Sequence, residues 1–151
     1  MTAPEPDDLP FVDEHRMPVA APPAVVWPAL TRQVTGPRFA ASETFARLLA
    51  AEPARSSRTP VVTGATLVGF RVADAQAERL LRLTGRHRFS RYELRLALAE
   101  VDDGTVVSAR TYAAFHGLHG AAYRMLVIGS GAHVIAVRRL LHAVRKDSEG
   151  R

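Results

Sequence analysis

Cysteine is absent from this chain. Disulfides, thiolate nucleophiles and cysteine metal sites are thereby excluded, and a cytoplasmic location is the expectation that fits. Long apolar runs are missing too. The longest charge-free one, Met125 to Val137, is interrupted by Ser130 and His133 and falls well short of the ~20 residues that span a bilayer, so no membrane span is expected. Met1 to Pro10 is proline-rich and acidic, with neither the basic start nor the apolar stretch of a secretion signal, and no export is indicated. Lysine is almost missing: every basic residue except Lys146 is arginine. The net charge is +5, but the arginines are spread through the chain and interleaved with acids.

What is present fits one domain. At 151 residues a chain buries roughly two thirds of its unfolded surface around one core. We expect a tail over 1–10, a single domain over 11–146 and a second tail over 147–151, with no repeat or linker. Val12 to Val19 reads as a strand, with His15, Met17 and Val19 on one side and Glu14 and Arg16 on the other. The tandem prolines Pro22 and Pro23 can open a helix, because its first turn needs no donated N–H, and Pro28 either limits that helix or sits in its first turn. A second short helix is expected from Ser42 to about Ala51, and a loop over Ala54 to Pro60.

From Thr66 the period changes to two. Val68, Phe70 and Val72 make one strand, and Leu81, Leu83 and Gly85 another. Tyr92, Leu94, Leu96 and Leu98 alternate with Arg91, Glu93, Arg95 and Ala97 in a third. Asp102-Asp103-Gly104 supplies a hairpin turn, and Thr105 to Phe115 returns, with Thr111, Ala113 and Phe115 inward and Arg110 and Tyr112 outward.

The chain closes on a segment, Gly117 to Lys146, that reads as one long helix. At about 100° per residue, Leu118, Ala122, Met125, Leu126, Gly129, Ala132, His133, Ala136, Leu140, Ala143 and Val144 share one arc. Arg124, Arg138, Arg139, His142, Arg145 and Lys146 lie opposite. A close-packed interior tolerates few voids, so small residues at the centre of that arc mean either a close neighbouring backbone or room for something that is not protein.

The junction Ala21-Pro22-Pro23-Ala24-Val25-Val26-Trp27, with a meander and a closing helix after it, resembles the START-like (SRPBCC) superfamily. That resemblance covers nearly the whole chain in element order. It implies an α+β helix-grip fold: a curved antiparallel sheet wrapped around a long C-terminal helix, with two short helices after the first strand. It also implies a ligand cavity between sheet and helix. The superfamily includes polyketide cyclases and lipid-transfer domains, so fold analogy alone does not name a reaction.

The expected function is binding of a small hydrophobic or amphipathic molecule. Its lining would be Met125, Gly129, Ala132, His133 and Ala136 of the helix, with Tyr92, Leu94, Leu96, Thr111, Ala113 and Phe115 of the sheet. His133 is the one polar side chain near the middle of the inner arc. It would orient the ligand or, in an enzyme acting as a polyketide cyclase or dehydratase, serve as acid/base. A pocketless structural or dimeric module is the remaining alternative.

Other patterns carry less. His116 and His119 stand three apart but lack the three or four protein ligands zinc needs, and no metal or cofactor is expected. Gly129-Ser130-Gly131 matches no phosphate-binding pattern. Read within a continuous helix, Gly131 faces outward with Val127, Ile128, Val134 and Ile135, a surface that suits a homodimer. The stretch holding Arg79, Arg82, Arg86, Arg88, Arg91 and Arg95 could meet nucleic acid, but Tyr92 has the opposite parity to Arg91 and Arg95, which weighs against it. No Ser-His-Asp or paired-carboxylate arrangement is apparent.

Overall fold

Alternating patterns build most of this molecule, whose computed structural model describes residues 9–36, 61–67, 70–87, 90–125 and 131–150. Among these residues six strands form one curved antiparallel sheet. They are β1 (Phe11–Val19), β2 (Thr66–Leu67), β3 (Phe70–Gln76), β4 (Leu80–His87), β5 (Ser90–Val101) and β6 (Gly104–Phe115), in the spatial order β1-β6-β5-β4-β3-β2. The β5–β6 hairpin turns through Asp102 and Asp103, with Val101 opposite Gly104. Glycine is required there. Gly104 has φ +147°, and a Cβ on it would lie 2.1 Å from the Val19 carbonyl oxygen.

Side-chain parity follows the sequence pattern. Leu94, Leu96 and Leu98 of β5 and Val107, Ala109, Thr111 and Ala113 of β6 are buried on the inner face, as are Leu81, Leu83 and Val72. The first helix, α1 (Pro23–Thr35), starts with Pro23 in its first turn and buries Val26, Ala29, Leu30 and Val34 at helical spacing. Pro28 does not limit it: the helix continues for seven residues beyond. A proline here removes only one backbone donor, and the buried face on both sides of it holds the helix together.

The single long helix is corrected by the structure. Two helices stand in its place, α2 (Gly117–Arg124) and α3 (Ala132–Glu149). Gly131 precedes α3 with φ +77°, a left-handed conformation that no right-handed helix contains, and its carbonyl accepts the Ile135 N–H at 3.0 Å. Gly131 is therefore a helix start, not a mid-helix residue facing outward. Because the helical phase is interrupted, the predicted arc does not run through both helices; only its α3 part, with Leu140 and Val144, stays buried. Leu118 is 88% and Met125 77% exposed, and Ala122 and Ala136 are exposed as well. The face that α3 buries is Val137, Leu140, Leu141, Val144 and Ser148.

α3 packs on α1 and β1. Arg32 donates to both oxygens of Asp147 (3.1 and 3.2 Å), and Gln33 donates to the same carboxylate at 3.2 Å. The Ala20 N–H donates to Glu149 at 2.7 Å. The helix thus continues through residues 147–149 that composition assigns to a tail. The expected helix from Ser42 and the loop after it lie outside the described residues. Among the described residues no helix is long and apolar enough to cross a membrane.

Candidate functional site

Strand β1 contributes more to the inner surface than its composition suggests. Asp13, His15, Met17 and Val19 share one parity, and Val19 is buried on the inner side. Residues two apart on a strand lie side by side on one face, so the His15 ring reaches the Asp13 carboxylate: Nε2 to Oδ2 is 3.1 Å. The other oxygen faces α3. There His133, the second residue of the helix, places Nε2 3.3 Å from Asp13 Oδ1. One carboxylate therefore joins two imidazoles from two elements. All three side chains are largely buried, at 17% exposure for each histidine and 22% for Asp13.

An ionised carboxylate only accepts hydrogen bonds, so the nitrogen facing it on each ring carries the proton. Beside this group, β6 places Thr111 directly opposite Asp13 in the strand register. Thr111 is 7% exposed, and its hydroxyl oxygen is buried with no hydrogen-bond partner among the described residues. Its other register neighbour is Leu94 on β5, while Ala113 pairs with Tyr92 and Ala109 with Leu96. The Tyr92 ring meets Phe70 edge to face at 5.2 Å, and Gly85, which pairs with Tyr92 on β4, carries no side chain to separate them. The surface is apolar and aromatic around one polar group.

The sheet residues expected from the sequence come together here: Tyr92, Leu94, Leu96, Thr111, Ala113 and Phe115 share the inner parity of β5 and β6. Those expected from the helix do not stay together. His133 reaches the sheet, Ala132 opens α3, Met125 and Ala136 are exposed, and Gly129 lies outside the described residues. Asp13, His15 and Phe70 were missed. The parity of β1 carries the signal for the first two, since Asp13 stands two residues before His15 on the side that also carries Met17 and Val19.

His116 stands at the N-terminal boundary of α2 without a side-chain capping hydrogen bond, and His119 lies within the helix. Among the described residues no three His, Asp or Glu side chains are grouped so as to hold a metal ion. Of the expected dimer surface, Ile135 is 52% exposed, Val134 is half-buried, and Val127 and Ile128 lie outside the described residues.

The architecture is the α+β helix-grip fold. No known family model matches the chain, and no curated protein does either. Solved structures do. Protein CV1439 of Chromobacterium violaceum is similar over 93% of this chain and 99% of its own, with a TM-score of 0.57 at 15% identity. CalU16 of Micromonospora echinospora is similar over 89% of this chain and 73% of its own, with a TM-score of 0.51 at 21% identity. Ara h 8.0201 covers 92% of this chain and 97% of its own, with a TM-score of 0.51 at 12% identity. At such identities the likeness is one of fold.

Proposed function

We propose that the protein belongs to the START-like superfamily and binds a small amphipathic molecule between the inner face of its sheet and the start of α3. The Thr111 hydroxyl carries this reading. A buried polar group without a partner is costly, and the inner surface around it is apolar with one cluster of polar groups, the composition of small-molecule sites. Tyr92, Leu94 and Ala113 would take the apolar body of the ligand. The Thr111 hydroxyl and His133 would take its polar end, with Asp13 holding the His133 ring.

The Asp13–His133 contact supports a second reading, in which His133 acts as acid/base on a polyketide-like substrate as a cyclase or dehydratase. Native mass spectrometry of protein purified from its own host tests both. Under the binding reading a small molecule co-purifies, and His133→Ala loosens it several-fold. Under the enzyme reading His133→Ala abolishes turnover and leaves binding in place. If no molecule co-purifies and a library of amphipathic compounds produces no thermal shift, the ligand site is wrong.

A further inference from the structure

The opposite face of the same sheet carries an arrangement that ligand binding on the inner face does not require. In the strand register Arg110, Arg95 and Arg82 stand directly opposite one another on three adjacent strands, with Glu14 and Asp74 at the two ends of the row. Along the same strands Arg86 faces Arg91. Arg16 and Arg71 lie on the same face, which among the described residues holds seven arginines against three carboxylates: Glu14, Asp74 and Glu93. Like charges directly across strands destabilise a sheet, and the carboxylates offset only part of that. Glu93 is fully buried between Arg82 and Arg95, both of which donate to its Oε1, and Glu14 accepts from Arg16 and Arg110. Arg16, Arg71, Arg86 and Arg110 are exposed.

Aromatic rings lie among these arginines. The bulge between Phe11 and Asp13 puts Phe11 opposite Tyr112, on the arginine side. Phe11 is 58% exposed, its ring meets Tyr112 at 5.7 Å, and the Arg95 guanidinium lies 4.5 Å over the Tyr112 ring. The parity of Tyr92, which counts against nucleic acid in the sequence, concerns a ring on the inner face. Phe11 and Tyr112 are the rings that accompany the arginines.

We propose that this outer face binds single-stranded nucleic acid, with phosphates on its arginines, Arg71 and Arg91 among them, and a base stacked on Phe11 beside Tyr112. Such surfaces combine a positive track with aromatic platforms and need no sequence preference. The inference is independent of the ligand site, which lies on the other side of the sheet.

Fluorescence anisotropy of a labelled oligouridylate of about twelve nucleotides, within the ~4–16 expected for one such surface, is the test. With three or four phosphate contacts, affinity falls about 20- to 50-fold between roughly 50 and 200 mM salt. Arg71→Glu combined with Arg91→Glu lowers affinity by at least about tenfold, and Phe11→Ala by about fivefold or more. Circular dichroism confirms that each variant folds. Arg138→Glu combined with Arg139→Glu, the same charge change on α3, leaves binding within about twofold, as phosphate contacts are local. Three results overturn the proposal: no salt-sensitive binding, an equal loss from the α3 pair, or binding to anionic phospholipid vesicles without binding to the oligonucleotide.

Discussion

His133 Nε2 lies 3.3 Å from Asp13 Oδ1, and 120 positions of chain separate the two residues. This contact ties the first turn of the terminal helix to the first strand of the sheet. It also holds the ring of the one polar residue that the helix pattern singles out, a role that carboxylates commonly play beside functional histidines. Asp13→Ala should therefore destabilise the protein. Hydrogen bonds involving charged groups contribute about 1.5–3 kcal/mol net, and the partial exposure of this cluster reduces that to about 1–2 kcal/mol. The melting temperature would fall by about 2–8 °C for a chain of this size. An unchanged melting temperature would show that the contact contributes nothing.

Thr111→Val should separate stability from binding. Its hydroxyl has no partner among the described residues, so an isosteric methyl leaves the free protein as stable or slightly more so, within about 1 kcal/mol. Affinity for the co-purifying molecule should drop about five- to tenfold if the hydroxyl bonds to it, the ~1 kcal/mol expected of one hydrogen bond. Calorimetric melting with and without ligand distinguishes the two effects. Equal affinity in both proteins would remove Thr111 from the site.

Acid should loosen the helix end that is bound to the β1–α1 junction. The Ala20 N–H, and secondarily Arg145, hold the Glu149 carboxyl below its ordinary value of 4.5, and Arg16 with Arg110 does the same for Glu14. A carboxyl whose pKa is lowered by folding stabilises the native state fully above its unfolded value and loses that contribution as pH falls through the folded one. Melting temperature should thus decline below about pH 4.5. Glu149→Gln should flatten part of that decline and lower the plateau near neutrality. A variant whose melting curve keeps the full acid slope would show that Glu149 has no part in it.

Two substitutions probe the frame itself. Gly104→Ala forces a Cβ to 2.1 Å from the Val19 carbonyl oxygen and 3.0 Å from the Ala21 nitrogen, both backbone atoms. The β1–α1 junction would have to move, and the variant should be recovered mainly as insoluble protein. Leu141→Ala empties a position 1% exposed where α3 meets the core, and should cost about 2–5 kcal/mol in urea titrations. A loss below about 1 kcal/mol would mean that α3 is not part of the cooperative core.

The strands were legible because their signal is local. Tyr92, Leu94, Leu96 and Leu98 alternate with charged residues, and a one-residue error would have turned all of them to the wrong face. The helix pattern misled for an equally physical cause. Leu118 and Met125 share an arc with His133 only if the helix is continuous from Gly117, and the left-handed Gly131 ends that continuity. A glycine allows such a conformation without demanding it, so its presence could not reveal the break. Asp13 escaped notice because an acid near a strand start reads as solvated, and its inward parity gains meaning only when a partner stands opposite.

Composition and period by themselves determined the order of strands and helices that carries the family resemblance, the antiparallel hairpin at Asp103-Gly104, the helix opened by Pro23 and the inner parity of Thr111. Each depends on backbone preferences and side-chain spacing within a few residues. The tertiary structure alone decided that Asp13 meets both His15 and His133, that the Thr111 hydroxyl is left without a partner, and that arginines from three strands line up on the outer face. Those relations depend on strand register and on where α3 begins, and contacts between distant segments are set by the packing of the whole chain.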